Sequence, residues 1–344
     1  MLIEIAESSN KDLQNVFRII SQSKEAGESY GMALSMAEDE TLLHSLFNSL
    51  IYTFPLFSRD AKEEIINGGV TLKVDEILSN FCDQCNNDEC AISNINIFID
   101  TCIFISVLSK NSTYARDSFL CYSVNERLLD MLNKIATALK QNQLQNENFQ
   151  LDDQSTLIIC SLADAIQSIY TSKLNRVDNL NELITNDIIN QMSQLLSILN
   201  GLNLYALKSI MACLISISSN YQPAVNQYFN NELDQLCISM LNEPELTSVA
   251  LSLLGNMCNT ADQNLLYHTL KYEEGELSLF QILIEMISTE YTADAFWIMS
   301  SLFDNLSNEL MSYITPEFIQ YVLSIGESSN FHIKKESTFF IATV

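Results

Sequence analysis

Apolar residues return along this chain at steps of three and four. Leu42, Leu43, Leu46, Leu50 and Phe54 make one such stripe, the spacing that lines one face of an α-helix. Comparable patterns predict helices around Leu72–Phe81, Ile95–Leu108, Tyr114–Cys121, Glu126–Leu139, Ser155–Ile169 and Ile188–Leu199. Gly68 and Gly69 stop a short helix, as glycine does just past a helix end. Two stretches break the pattern. Gln141–Asp153 carries no helical apolar period and reads as an exposed insertion, and Lys173–Asn179 reads as a second polar connector. The first 40 residues form a polar opening with helical stretches, ending in the acidic run Glu38-Asp39-Glu40.

The pattern also repeats at long range. Ser-Val-Ala-Leu-Ser-Leu-Leu-Gly-Asn ending at Asn256, Thr-Ala-Asp-Ala-Phe-Trp-Ile-Met-Ser-Ser ending at Ser301 and Lys-Glu-Ser-Thr-Phe-Phe-Ile-Ala-Thr-Val ending at Val344 share one layout. With Asn256, Ser301 and Thr343 as equivalent positions the steps are 45 and 42 residues, and Ser216 fits 40 residues upstream. A period of roughly 40–47 residues built from two or three helices marks armadillo and HEAT solenoids. In the first half, Val107 and Asp164 as equivalents give looser steps of 57 and 52 residues, the excess falling on the two polar connectors. The expected fold is therefore all-α, an armadillo-type, right-handed helical repeat superhelix (solenoid) of about seven units. Residues 1–40 are expected as a polar N-terminal helical segment and 41–344 as the array, irregular with insertions over 41–200 and regular over 203–344. The last unit stops once its inner helix has begun. An uncapped repeat exposes apolar surface, so the expectation is a carrier or assembly partner covering the C-terminal repeat, or a chain that continues past Val344.

Composition agrees with a helical array. Only 8 Gly and 4 Pro occur in 344 residues, leaving few tight turns and few breaks, and 47% hydrophobic content is ample for a continuous core. The balance of 17 Lys+Arg against 43 Asp+Glu gives a net charge of −26. Phosphate-based nucleic-acid binding needs a basic stripe that is missing here, and an acidic field repels anionic membranes while steering basic partners. Acidity also serves plain solubility, and that reading stands beside the first. Met1–Glu7 is acidic where a secretory signal would be basic, and no apolar run reaches the roughly 18 residues a membrane span needs. Nine cysteines, an odd number, fit a reducing setting, so the cytoplasm and nucleus are the expected locations. Most of them (Cys102, Cys121, Cys160, Cys213, Cys237, Cys258) fall on apolar helix faces as small hydrophobes.

Ala250 to Thr260, followed by Asp262-Gln263, resembles the repeat core of importin-alpha proteins. Ala295 to Ser301 and Phe331 to Ile341 resemble further repeats of that family in the right register, so the likeness covers roughly 203–344. The resemblance implies a concave groove that carries basic nuclear-localisation peptides. In that family each inner helix presents a Trp and, one turn on, an Asn. Indole faces form slots for Lys and Arg stems and attract their charge, while the Asn amide clamps an extended backbone. Carried over, the groove candidates are Ala212 with Ser216, Ser252 with Asn256, Trp297 with Ser301, and Phe339 with Thr343. No pair is a complete Trp/Asn. The family's basic amino-terminal segment is also missing, since residues 1–50 hold only Lys11, Arg18 and Lys24 as basic side chains. Trp297, the single Trp, reads either as packing between helices or as a groove wall, and Asn256 either as a bond to a neighbouring loop or as a peptide clamp.

Other chemistry is sparse. Cys82, Cys85 and Cys90 offer one CxxC and a third thiol, short of the doubled pattern of a strong zinc site, and read as a solvated loop. His44, His268 and His332 are far apart and belong to no nucleophile motif, and phosphate-binding glycine loops are missing. Glu273-Glu274-Gly275-Glu276 reads as a solvated turn. The expectation is a non-enzymatic, cofactor-free and metal-free scaffold that binds basic peptide segments or a protein partner. The alternative is a divergent armadillo subunit of a larger assembly that binds no nuclear-localisation signal.

Overall fold

The structure, a computed structural model, describes residues 11–86, 95–146, 149–170, 186–271, 273–274 and 277–344. Its helices are α1 Lys11–Gln22, α2 Lys24–Ser35, α3 Glu40–Thr53, α4 Arg59–Ile65, α5 Thr71–Asn86, α6 Ile95–Asn111, α7 Thr113–Cys121, α8 Val124–Gln145 and α9 Asp153–Tyr170. They continue as α10 Asn186–Leu199, α11 Leu204–Asn220, α12 Ala224–Asn230, α13 Leu233–Met240, α14 Thr247–Thr260, α15 Gln263–Lys271, α16 Leu279–Met286, α17 Thr292–Leu310, α18 Pro316–Ser328 and α19 Phe331–Thr343. The positions equivalent by repeat spacing, Val107, Asp164, Ser216, Asn256, Ser301 and Thr343, fall on α6, α9, α11, α14, α17 and α19 in turn. The Lys173–Asn179 connector, Met1–Glu7 and the Cys90 end of the cysteine segment lie outside the described residues.

Helix starts follow local chemistry. The side chains of Ser23, Asp39, Ser58, Ser112, Asn203, Thr315 and Asn330 each accept a hydrogen bond from a backbone N–H three residues on, at 2.9–3.3 Å. Each such cap satisfies a first-turn donor and contributes about 1 kcal/mol. Ser278 and Gln281 close a capping box at α16.

The chain divides into two compact units. The first holds Met1–Asn179 and Gln194–Cys213, the second Leu180–Ser193 and Leu214–Val344. In the first unit α6 is buried around most of its circumference, because α3, α5 and α9 pack on different sides of it. Phe81 stacks on Phe98 at 4.4 Å and Phe47 tilts onto Phe104 at 4.7 Å. Gly69 takes φ of 101° where α4 hands over to α5, the left-handed conformation that glycine adopts without strain. This is the stop expected at Gly68-Gly69. The same turn lets α2 approach very closely: a Cβ on Gly27 would lie 2.5 Å from the Ala61 carbonyl oxygen, and one on Gly31 would overlap Ile65 and Gly68. Periodicity gave no sign of that crossing.

Two expected loops are partly helix. Residues 82–86, read as the start of a solvated loop, close α5 with Cys82 buried. Residues 141–145 belong to α8, although Leu144 is exposed. Gln143 Nε2 donates to the Ile198 carbonyl at 3.3 Å, satisfying the end of α10 by a tertiary bond that no apolar period encodes. Leu42, counted in the apolar stripe of α3, is exposed, and Phe47 takes the buried place between Leu43 and Leu50. At the expected solvated turn, Glu273 pairs antiparallel with Ser278 and Glu274 with Leu277, while Gly275 and Glu276 lie outside the described residues.

In the second unit α17 lies between α14 and α19. Phe340 is fully buried and meets Phe296, Phe303 and Phe318 at ring distances of 5.8–6.4 Å. That cluster fixes the rotation of α19 and leaves the neighbouring Phe339 turned outward, 53% exposed. Among the described residues no helix is long and apolar enough to cross a membrane.

Candidate groove on the second unit

The rotation of α19 opens a groove of about 430 Å³ between α17 and α19, reaching Asn259 on α14. Trp297 and Ser301 line one wall, and Phe339 and Thr343 line the other. Four of the eight residues picked from the repeat spacing therefore meet at one place. The remaining four do not line it. Ala212 is half-buried and Ser216 buried on α11, and Ser252 is half-buried on α14 with its hydroxyl donating to the Ser248 carbonyl.

Trp297 serves both readings offered for it. A Cβ at position 255 would lie 2.0–2.6 Å from three carbons of the indole, so the ring packs directly on the bare backbone of Gly255, and Trp297 also lines the groove. The glycine of the α14 motif is thus the seat of the tryptophan. Asn256 points elsewhere. Its Nδ2 lies within hydrogen-bond distance of the Ile215 carbonyl at 3.2 Å, Ser218 Oγ at 3.0 Å and Ser219 Oγ at 2.9 Å, binding α14 to the end of α11. Asp164, the equivalent position in the first unit, behaves alike, accepting from Ser106 and from Lys110 Nζ at 2.7 Å on α6. Ser301 and Thr343 return their hydroxyls to carbonyls of their own helices, Trp297 at 3.1 Å and Phe339 at 2.9 Å.

Charge in the groove comes from residues the repeat comparison did not single out. Asp294, Asp304, His332, Lys335 and Glu336 all line it. Helical arithmetic identifies them: 294, 297, 301 and 304 fall on one face of α17, and 332, 335, 336, 339 and 343 on one face of α19. His332 lies in the first turn of α19, which Asn330 caps. Burial holds the Asp294 carboxyl above the usual carboxylate range, with His332 opposing the rise and Glu336 adding to it. Three carboxylates beside an indole and a phenyl ring suit a cation on an aliphatic stem.

Elsewhere the chemistry is quiet. Burial pushes the Cys82 thiol up to about 11 and Cys258 up to about 12, and raises Cys102, Cys213 and Cys237 further. Thiols held protonated in this way are inert as nucleophiles. Cys121 differs from the expectation for it, since it is exposed at the end of α7. The His44 ring is hydrogen-bonded to Asp100 through one nitrogen and to Asn48, at 2.9 Å, through the other. Among the described residues no group of three or more His, Cys, Asp or Glu is arranged to hold a metal ion.

No family model matches the chain, and no curated protein matches it. Among solved structures it is similar to a designed armadillo repeat protein, with TM-score 0.56 and 13% identity over 80% of this chain and 99% of the other. A computationally designed armadillo repeat protein for modular peptide recognition is similar at TM-score 0.55 and 13% identity, over 80% and 98% of the two chains. An engineered protein gives the same TM-score, 0.55, again at 13% identity over 80% and 98%. At that identity the likeness is one of fold, and the fold is an all-α armadillo-type helical repeat.

Proposed function

We propose that this chain is a non-enzymatic protein-binding scaffold whose second unit takes an extended basic peptide segment in the groove between α17 and α19. The observation that carries this reading is the meeting of Trp297 and Phe339 with Asp294, Asp304 and Glu336 in one open cleft. Aromatic walls accept the methylene stem of a Lys or Arg, and the carboxylates beyond them select its charge. Peptide recognition by a designed protein of the same fold supports the reading. Its sharpest form is a nuclear-import adaptor resembling importin-alpha, with residence in cytoplasm and nucleus as part of the proposal.

A second reading has its own support. Asn256 is bound to Ile215, Ser218 and Ser219, and the hydroxyls of Ser301 and Thr343 are turned into their own helices. A groove whose hydroxyls are engaged in this way, with Asn256 turned away to α11, suits a repeat scaffold that serves as a subunit of an assembly and binds no nuclear-localisation signal. A fluorescence-anisotropy titration with a short Lys/Arg-rich peptide, at low and near-physiological salt and beside an acidic control, separates the two. The groove reading expects binding that survives near-physiological salt and weakens by about an order of magnitude in Trp297→Ala. Binding at low salt alone, indifferent to Trp297, transfers the proposal to the assembly subunit.

A further inference from the structure

The groove already contains a cation. Lys335 Nζ lies 2.9 Å from Glu336 Oε1 and 5.5 Å from the centre of the Phe339 ring. Ammonium, carboxylate and aromatic face are the three groups a bound lysine would bring together, and here one helix supplies all of them. The two charged partners differ in their surroundings. The Glu336 side chain is only 10% exposed, whereas that of Lys335 is 50% exposed. A carboxylate so placed is costly without a counter-charge, while a half-exposed lysine on a flexible stem moves into water at little cost. Glu336 is therefore the fixed member of the pair and Lys335 the exchangeable one.

We propose that Lys335 is an internal stand-in for the ligand's basic side chain, and that it sets the affinity of the groove by occupying the Glu336–Phe339 slot until an incoming Lys or Arg displaces it. This inference rests on the peptide-groove reading above and adds a specificity-determining residue to it. A ligand that supplies one positive charge gains little, since it exchanges one ammonium for another. A ligand with several charges in a row also meets Asp294 and Asp304, which line the same groove, and so gains where a single lysine does not. The slot thereby discriminates between isolated basic residues and basic clusters.

Lys335→Met tests this, because methionine keeps the stem against Phe339 and removes only the charge; Lys335→Arg keeps the charge. The probe is an eight-residue peptide of alternating Lys and Arg, titrated by anisotropy into the whole chain as wild type, Lys335→Met, Lys335→Arg and Trp297→Ala. Binding on the order of tenfold tighter in Lys335→Met, with Lys335→Arg near wild type, supports the proposal. Binding detectable in Lys335→Met alone supports it equally. Unchanged or weaker binding in Lys335→Met, while Trp297→Ala still loses affinity, overturns the stand-in role and leaves the groove reading in place. No binding by any form overturns both.

Discussion

Asp294 is the groove residue whose protonation has the clearest consequence. Its carboxyl sits above the usual carboxylate range because it is partly buried, with His332 opposing the rise and Glu336 increasing it. A bound cation stabilises the ionised form, so Asp294 titrates lower in the complex than in the free protein. Affinity for a basic peptide is then constant above the free-protein value and falls as pH drops through it toward the lower bound-state value. Lys335, Glu336, Asp304 and His332 line the same space. Asp294→Asn separates the contributions, since it should weaken binding near neutrality and flatten the acid limb. Wild-type affinity that holds steady down to about pH 4 contradicts this account. At this scale the sequence was half legible. Repeat spacing located Trp297, Ser301, Phe339 and Thr343, but the charged residues needed the further step of reading each helix as a face. The engagement of Asn256 with α11 was invisible, because it depends on how closely two helices approach.

Among the elements, the crossing of α2 over the α4–α5 turn is the most tightly constrained. Three glycines, at positions 27, 31 and 68, let backbone meet backbone, and a methyl group at 31 has nowhere to go. Gly31→Ala should cost about 1–3 kcal/mol, read as a lower midpoint in chemical denaturation with the slope preserved; an unchanged midpoint rejects the crossing. Most helices here were legible because their apolar stripes are long and their caps are the usual Ser, Asp, Asn and Thr. The end of α8 was not, because Gln143 finds its partner on another helix. The α2 crossing was not either, since a glycine spacing of four describes a contact only when the second surface is known. Leu42 and Phe47 show a smaller error of the same kind, because where neighbouring positions are both apolar the period does not say which of them faces the core.

For the molecule as a whole, a repeat array implies that energy is local: each unit depends mainly on its neighbours. Phe340→Ala removes the ring that Phe296, Phe303 and Phe318 surround, a loss of about 3–5 kcal/mol by analogy with other buried aromatic truncations. Hydrogen exchange should quicken in α17, α18 and α19 while α6 and α9 keep their protection. Equal loss of protection in all of these helices would show instead a single cooperative body. The overall architecture was legible from a period of 40 to 45 residues in the second half, which survives substitution because it reflects the length of a helical unit rather than the identity of any residue in it.

The seating of Trp297 on Gly255 ties two positions into one heritable choice. While the indole is present, no side chain fits at 255; once a lineage trades it for something small, the glycine is released and free to drift toward better helix formers. Passage in the other direction needs the glycine first. Residues 42 apart in sequence are thus bound to an order of events, and a groove of this kind is more easily lost over generations than regained.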